Sequence, residues 1–423
     1  MMLKRSMPDS SLNEWLRRLE LLHPVEIELG LERVTEVARS LGLLESRPRT
    51  ITVAGTNGKG SVVAVVSAGL RAAGFRVGTY TSPHLVRFNE RICIDEVAVA
   101  DADLVSAFSV IDSARGQISL TYFEFATLAA LWLFRERRVD WQVLEVGLGG
   151  RLDAVNIIDA DFSAITSIGL DHIEWLGSDR ETIAIEKAGV ARQGQVCVVA
   201  DPQPPATLIA ALSERGSIPM FIDRDWRVGA GEFVSAQGQH VPLPEVSGLL
   251  PANIGAGLQV LELAGISLDS SVLSCVSSIH LPGRRHRLRF GALEVWLDVA
   301  HNTEAVRELV AMLRSHPCEG ATRVMFGVMG DKPIRDMISA CREVVDEWNV
   351  IELGHVPRAM PADQLAEKIG LSDVVSVGAF VTVWDAVMQR AEPGDRIVIF
   401  GSFFTVGAAY SEFGDSVRTS GDG

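Results

Sequence analysis

Ala54-Gly55-Thr56-Asn57-Gly58-Lys59-Gly60-Ser61 is the stretch on which the fold reading turns. The residues before it, Thr50 to Ala54, are β-formers, and those after it, Ser61 to Ala73, read as an apolar helix closed by Gly74. A strand leading in and a helix leading out is the setting of a phosphate-cradling loop. Glycines let backbone N–H groups approach an anion, the helix N-terminus adds a favourable dipole, and Lys59 supplies a point charge. The strict pattern G-x-x-x-x-G-K-[ST] is not met, because its first glycine falls at Val53 and Gly60 separates Lys59 from Ser61.

Working outward, short apolar strands alternate with helical stretches. Arg76–Tyr80, Trp141–Val146, Phe162–Ile168 and Val196–Ala200 read as strands, with Ser119–Phe134 and Glu181–Gly189 as helices. Such alternation predicts a parallel sheet covered by helices. The middle, Ile218 to Pro251, carries short strands with glycines and prolines, followed by helical stretches over about 253–264 and 270–278. Leu281-Pro282-Gly283-Arg284 then reads as a hinge. A second, smaller α/β alternation of Rossmann-like character follows, with strands at Leu293–Val299, Val324–Gly327, Val350–Leu353 and Arg396–Phe400. The expected division is therefore 1–286 and 287–423. The polar, Gly-rich residues 414–423 are expected to fray. No internal repeat at solenoid spacing is present.

Composition narrows the function classes. The 423 residues carry 39 Lys+Arg against 54 Asp+Glu, a formal net charge of −15, and 47% are hydrophobic. Such a chain buries ordinary cores, which rules out disorder as its dominant state. An isoelectric point near 5.1 argues against nucleic-acid binding through a broad basic surface, although a small phosphate ligand needs only a local positive site. Cys93, Cys197, Cys275, Cys318 and Cys341 are odd in number and in no C-x-x-C pair, so neither a disulfide framework nor a thiolate zinc site is expected. Met1-Met2-Leu3-Lys4-Arg5-Ser6 has no apolar stretch behind it, and the longest apolar run, 126–134, interrupted only by Thr127, is too short to span a bilayer. A cytoplasmic protein without a membrane partner is expected.

Three further clusters carry chemistry. Glu145, in Leu144-Glu145-Val146-Gly147-Leu148-Gly149-Gly150-Arg151-Leu152-Asp153-Ala154, stands near the carboxyl end of a predicted parallel strand, where open α/β sheets bind ligands. That makes it a candidate magnesium ligand or a capping carboxylate. His172 follows another strand in Ser167-Ile168-Gly169-Leu170-Asp171-His172, and Lys187 stands in Glu186-Lys187-Ala188-Gly189. Leu297-Asp298-Val299-Ala300-His301-Asn302 and Gly330-Asp331-Lys332 put polar groups beyond strands of the second half.

Together with Tyr80 to Ile92 (YTSPHLVRFNERI), these stretches resemble the Mur-ligase superfamily of ATP-dependent amide-forming enzymes. More narrowly, the chain is similar to the folylpolyglutamate synthase/dihydrofolate synthase family, with seven motifs in family order across nearly its whole length. The run Ser119-Leu120-Thr121-Tyr122-Phe123-Glu124-Phe125 looks closest to the bifunctional bacterial members. The resemblance implies a ligase joining L-glutamate to dihydropteroate and to reduced folates through an acyl phosphate, with ATP and one or two Mg²⁺ ions. It implies nucleotide contacts at Thr56, Asn57, Gly58, Lys59, Gly60, Ser61, Asn253, Arg284 and Asp298, and metal contacts at Ser82, Glu145 and His172. It also implies a pterin pocket at Thr121, Tyr122, Phe123, Leu152, Asp153 and Ala154, edged by Ile27 and Leu29. Lys187 corresponds to a lysine that becomes carbamylated, and a monomer is the family default. His301 is a candidate for orienting glutamate or acting as base, or else a structural loop histidine.

The chain departs from the family pattern at Thr303, where proline is frequent, at Gly401-Ser402-Phe403-Phe404, and in the basic run Arg285-His286-Arg287. Folylpolyglutamate synthesis alone and muramyl-peptide ligation are alternatives within the superfamily; TYFE and SPHLVRFNERI speak against the latter. A P-loop switch protein is the alternative from another class, and it calls for an N-K-x-D run that the chain lacks.

Overall fold

Strand Arg49–Ala54, which leads into the phosphate loop, lies inside an eight-stranded sheet. The order is Val97–Ala98, Ile92–Ile94, Val77–Tyr80, Trp141–Glu145, Arg49–Ala54, Phe162–Ile165, Val196–Val199, Ile218–Phe221. This computed structural model describes residues 11–414 except 26, 46 and 355. The expected frayed end, apart from Gly414, and the N-terminal residues 1–6 lie outside the described residues. Only the first two strands run antiparallel, and the other six form a parallel array. Val53 pairs with Glu145 and Ala54 with Ile165, so three neighbouring strands end at one level. Loops leaving that level share one crevice, which is where this topology places ligands.

Period-two alternation assigns the two faces. Ile51, Val53, Val143 and Ala164 join a core with the helices Lys59–Ala72, Pro251–Leu263 and Ser270–Ser277. Ala54, Leu144 and Ile165 face the opposite core, under Leu12–Leu22, Asp101–Arg115 and Tyr122–Glu136. With both faces covered, these strands read as continuous apolar runs. A small antiparallel sheet, Arg227–Gly229, Glu232–Val234 and His240–Pro242, sits beside the second core.

The C-terminal half forms a six-stranded α/β sheet in the order His286–Phe290, Leu293–Asp298, Arg396–Phe400, Thr322–Phe326, Glu347–Ile351, Val374–Gly378. Its first strand is antiparallel and the rest are parallel. The fold is thus a parallel-sheet half followed by a smaller Rossmann-like half, as read from the alternation.

Element ends differ from the sequence reading for identifiable reasons. The helix after the phosphate loop begins at Lys59, not Ser61, because Gly58 at φ 88° turns the chain into it. The helix expected from Ser119 begins at Tyr122, because Thr121 accepts the Glu124 N–H while the Glu124 carboxylate accepts the Thr121 N–H. The strand expected over Val350–Leu353 runs over Glu347–Ile351. Its first half hid behind polar residues that the fold buries and pairs: Glu347 meets Arg323, and the Asn349 amide donates to the Val324 carbonyl at 3.1 Å. All five cysteines are free thiols. Among the described residues, no helix is long and apolar enough to cross a membrane.

Candidate active site

The phosphate loop is shaped by two glycines. Gly55 has φ 147°, and a Cβ there would overlap the Thr166 side chain; Gly58 has φ 88°, and a Cβ there would overlap the Asn253 amide. Both positions need a residue without a side chain. The loop is tied to the strand-end loop after Phe162–Ile165. Thr56 N–H donates to the Ser167 carbonyl at 2.7 Å, and Gly169 N–H donates to Thr56 Oγ1 at 2.9 Å. Lys59 Nζ curls back to donate to the Gly55 and Thr56 carbonyls, both at 3.2 Å. Gly60 lies against Glu145, and Ser61 is buried in the first helical turn.

Glu145 is buried at its strand end and accepts the Ser82 N–H at 3.2 Å. Burial pushes its carboxyl up, and the nearby Lys59 ammonium counters part of that. Lys187 is buried, with Nζ 2.9 Å from the Gly55 carbonyl. Burial, reinforced by the neighbouring charge of Lys59, lowers its amine to about 7. His172 is half-buried, in the left-handed conformation at φ 50°; burial lowers its imidazole to about 4, against the pull of Asp171. Near neutral pH it is therefore an uncharged ring, as metal ligation requires. Ser82, Glu145 and His172 offer hard oxygens and one neutral nitrogen, which fits a magnesium-type cation. Among the described residues no three His, Cys, Asp or Glu side chains gather as a metal cage. A cation here needs further oxygens from a phosphate or water, which is the ordinary habit of Mg²⁺.

The expected pterin residues surround the loop after Glu145. Phe123 packs against Gly147 and lies 5.8 Å from Tyr80, ring centre to ring centre. Tyr122 meets Phe88 edge-on at 5.7 Å, with the Arg91 guanidinium 5.6 Å above its ring. Asp153 is buried and accepts the Leu148 and Val155 N–H groups at 2.8 and 3.0 Å; burial raises its carboxyl to about 6 in spite of those bonds. Ala154 is buried behind it, and Leu152 is half-buried. Ile27 lines a cleft of about 480 Å³ together with His172, Trp175, Asp331 and Arg358, so residues of both halves meet there. Leu29 is half-buried two residues on.

From the other half, Asp298 ends its strand buried, accepting the Arg285 and Ala300 N–H groups at 3.0 and 2.7 Å. Burial raises its carboxyl, opposed by the charge of Arg284. The Arg284 guanidinium stands 5.7 Å from the centre of the Phe403 ring. His301 is held at both nitrogens, Nδ1 2.8 Å from the Val299 carbonyl and Nε2 3.3 Å from Asp171. A base role would first require Nε2 to leave Asp171.

Three residues absent from the expected set organise this meeting of halves. Asn57 and Asn302 exchange side-chain amide hydrogen bonds at 3.1 and 3.0 Å. Asp171 sits 2.5 Å from Lys332 Nζ. Burial alone would raise the Asp171 carboxyl, yet the His301 bond and the charges of His301, His172 and Lys332 hold it well below the usual carboxylate range. Asn302 and Lys332 stand in motifs the sequence presents, DVAHN and GDK, but nothing in their spacing says that they reach across 245 and 161 residues.

The chain is similar to known proteins along its whole length. Residues 283–403 match the family Mur ligase, glutamate ligase domain. The dihydrofolate synthase/folylpolyglutamate synthase of Escherichia coli strain K12 is 40% identical, with the whole of both chains covered. Its namesake from Haemophilus influenzae is 34% identical over 94% of this chain and 96% of its own. Escherichia coli FolC in complex with DHPP and ADP superposes with TM-score 0.91 at 39% identity, covering 97% of this chain and 99% of that one. A bifunctional folylpolyglutamate synthase/dihydrofolate synthase with Mn, AMPPNP and L-glutamate bound gives TM-score 0.88 at 40% identity, covering 96% and 98%. The chain belongs to the dihydrofolate synthase/folylpolyglutamate synthase family, within the Mur-ligase fold.

Proposed function

We propose that the chain is an ATP-dependent ligase that joins L-glutamate to the carboxylate of dihydropteroate, and to that of reduced folates, giving dihydrofolate and folylpolyglutamates. The observation that carries this reading is the convergence on one crevice of the phosphate loop, Glu145, Lys187, the aromatic pocket around Phe123 and the strand ends of the second half. The names and bound ligands of the relatives support it.

A carboxylate is a poor electrophile and must be activated before an amine can displace oxygen from it. In the first step its oxygen attacks the γ-phosphorus of ATP, the bond to the β–γ bridging oxygen breaks, and ADP leaves. The amine nitrogen of glutamate then attacks the acyl carbon, the bond to phosphate oxygen breaks, and the amine gives up its proton. Residues 55–61 cradle the phosphates through backbone N–H groups, and Lys59, turning from its own carbonyls, meets the charge that develops on the transferred group. Asn253, Arg284 and Asp298 complete the nucleotide site from the other side. Ser82, Glu145 and His172 would hold a divalent cation, which when bound neutralises phosphate charge. Thr121, Tyr122, Phe123, Leu152, Asp153 and Ala154, with Ile27 and Leu29, receive the pterin. His301 would orient the incoming glutamate or act as its base. Residues 1–286 supply phosphate and pterin binding, 287–423 supply Asp298, His301 and the glutamate side, and closure about 281–287 excludes water from the acyl phosphate.

Lys187 is proposed to be carbamylated. An amine lowered to about 7 is substantially unprotonated at neutral pH, and can add carbon dioxide with loss of a proton. The product is an anion with two acceptor oxygens beside Lys59, in place of a second ammonium. Electron density beyond Nζ in crystals grown with bicarbonate and magnesium tests this, and a bare ammonium there refutes it. The enzyme is proposed to work as a cytoplasmic monomer, which sedimentation addresses.

Mass spectrometry of products tests the main reading, after incubation with Mg-ATP, L-glutamate and, separately, dihydropteroate, a reduced folate or a UDP-muramyl acceptor. Glutamylated dihydropteroate and folate are expected. Product only from the folate narrows the activity, product only from the muramyl acceptor replaces it, and phosphate release independent of any pterin overturns it.

A further inference from the structure

We infer that Lys332 is a positioning residue for amide formation, acting through Asp171 on His301 and on the loop that braces the phosphate-binding residues; this rests on the ligase reading above. Lysine occurs five times in the chain, against thirty-four arginines. In a sequence that so strongly prefers arginine, a buried lysine marks a place where a compact ammonium serves and a planar fork does not. Three of the four described lysines lie in the crevice. Lys59 and Lys187 meet at the Gly55 carbonyl, and Lys332 is the third. The fourth, Lys368, is exposed on a helix.

Lys332 comes from the second half and is itself buried, its side chain 5% exposed against 8% for Asp171. Its Nζ stands 2.5 Å from Asp171 Oδ1 and 3.6 Å from Asp331 Oδ2. The other oxygen of Asp171 faces His301 Nε2 at 3.3 Å and the Asn302 amide at 3.5 Å. One carboxylate of the first half thus gathers three residues of the second. Asp171 also follows directly on the segment that Thr56 holds, through its bonds to Ser167 and Gly169. Asn302 returns to Asn57 in the phosphate loop, which closes the circuit.

Without Lys332, the buried Asp171 loses an ion-pair partner at 2.5 Å, and the connection it makes between His301 and the phosphate loop is no longer pinned from that side. Misplacement of reacting groups by about 1 Å costs roughly a hundredfold in rate. An arginine would keep the charge but put a wider, planar head where a single nitrogen now sits against two carboxylates. This predicts that charge alone does not rescue.

The test compares Lys332→Met, Lys332→Arg, Asp171→Asn and the double variant Lys332→Met/Asp171→Asn with wild type, in the full chain. The readouts are thermal midpoint, ADP binding, kcat, and KM for ATP. Expected is a kcat lowered about a hundredfold in both Lys332 variants, with KM for ATP and ADP affinity within about threefold of wild type. The double variant is expected to be no slower than the slower single one, because both changes remove the same connection. A Lys332→Arg enzyme with wild-type kcat, or single effects that multiply in the double variant, overturns the inference. Should Lys332→Met fail to fold, Lys332→Arg decides. Wild type in the same assay separates the two claims. No glutamylated product from wild type defeats the ligase reading, whereas wild-type product alongside undisturbed variants defeats the role of Lys332.

Discussion

Lys59 and Lys187, 128 positions apart in sequence, donate to the same acceptor, the carbonyl oxygen of Gly55, at 3.2 and 2.9 Å. Burial lowers the Lys187 amine from 10.5 to about 7, and the neighbouring Lys59 ammonium on the same carbonyl adds to the shift. The folded state therefore sheds this proton before the unfolded state does. Between about pH 7 and 10.5 the unfolded chain binds more protons, and stability rises with pH; below about 7 the full cost remains. Lys187→Met removes the group and is expected to flatten that rise. Chemical denaturation in bicarbonate-free buffer at pH 7 and 9.5 measures it, and an equal rise in both proteins counts against the pairing.

Gly58→Ala is expected to weaken both the fold and nucleotide binding. The added Cβ meets the Asn253 amide, and φ 88° is left-handed. Strain of this kind costs about 1–3 kcal/mol. Thermal melting with and without ADP should show a lowered midpoint and a reduced shift on adding nucleotide. A wild-type nucleotide shift would contradict the placement of Asn253 against the loop.

Glu145→Gln keeps the shape of the strand end but removes the charge that Ser82 and Lys59 surround. The Mg²⁺ concentration for half-maximal turnover should rise about ten- to a hundredfold. Lys59→Ala, by contrast, should abolish turnover at every magnesium concentration. Finding the two variants alike in magnesium dependence would remove Glu145 from the metal site.

Phe123→Ala opens space against Gly147 and Tyr80, on the side of the crevice proposed to receive the pterin. KM for dihydropteroate should rise about ten- to a hundredfold while KM for ATP stays close to wild type, because a lost aromatic contact and its buried area amount to roughly 1.5–3 kcal/mol. Equal changes in both constants would place Phe123 in the general support of the fold instead.

Much of this was legible in the chain as written. Thr50 to Ser61 carries the strand, turn and helix of the phosphate loop in local chemistry alone, because glycine conformations and β-formers act over a few residues. The parallel sheets follow from apolar runs that need both faces covered. Polar strands were harder to read. Glu347 and Asn349 look like loop residues until Arg323 and Val324 appear opposite them.

What the sequence determined by itself, then, is the set of local elements and the identity of the chemical groups: a phosphate loop, strand-end carboxylates, a histidine, and a lysine beyond the hinge. Tertiary structure alone decided their relations. Lys187 has a lowered amine because folding buries it beside Lys59. Asp171 is ionised and central because Lys332 and His301, more than a hundred residues away in sequence, are brought to its two oxygens. Charge interactions of this kind depend on distance and burial, and neither is encoded by spacing along the chain.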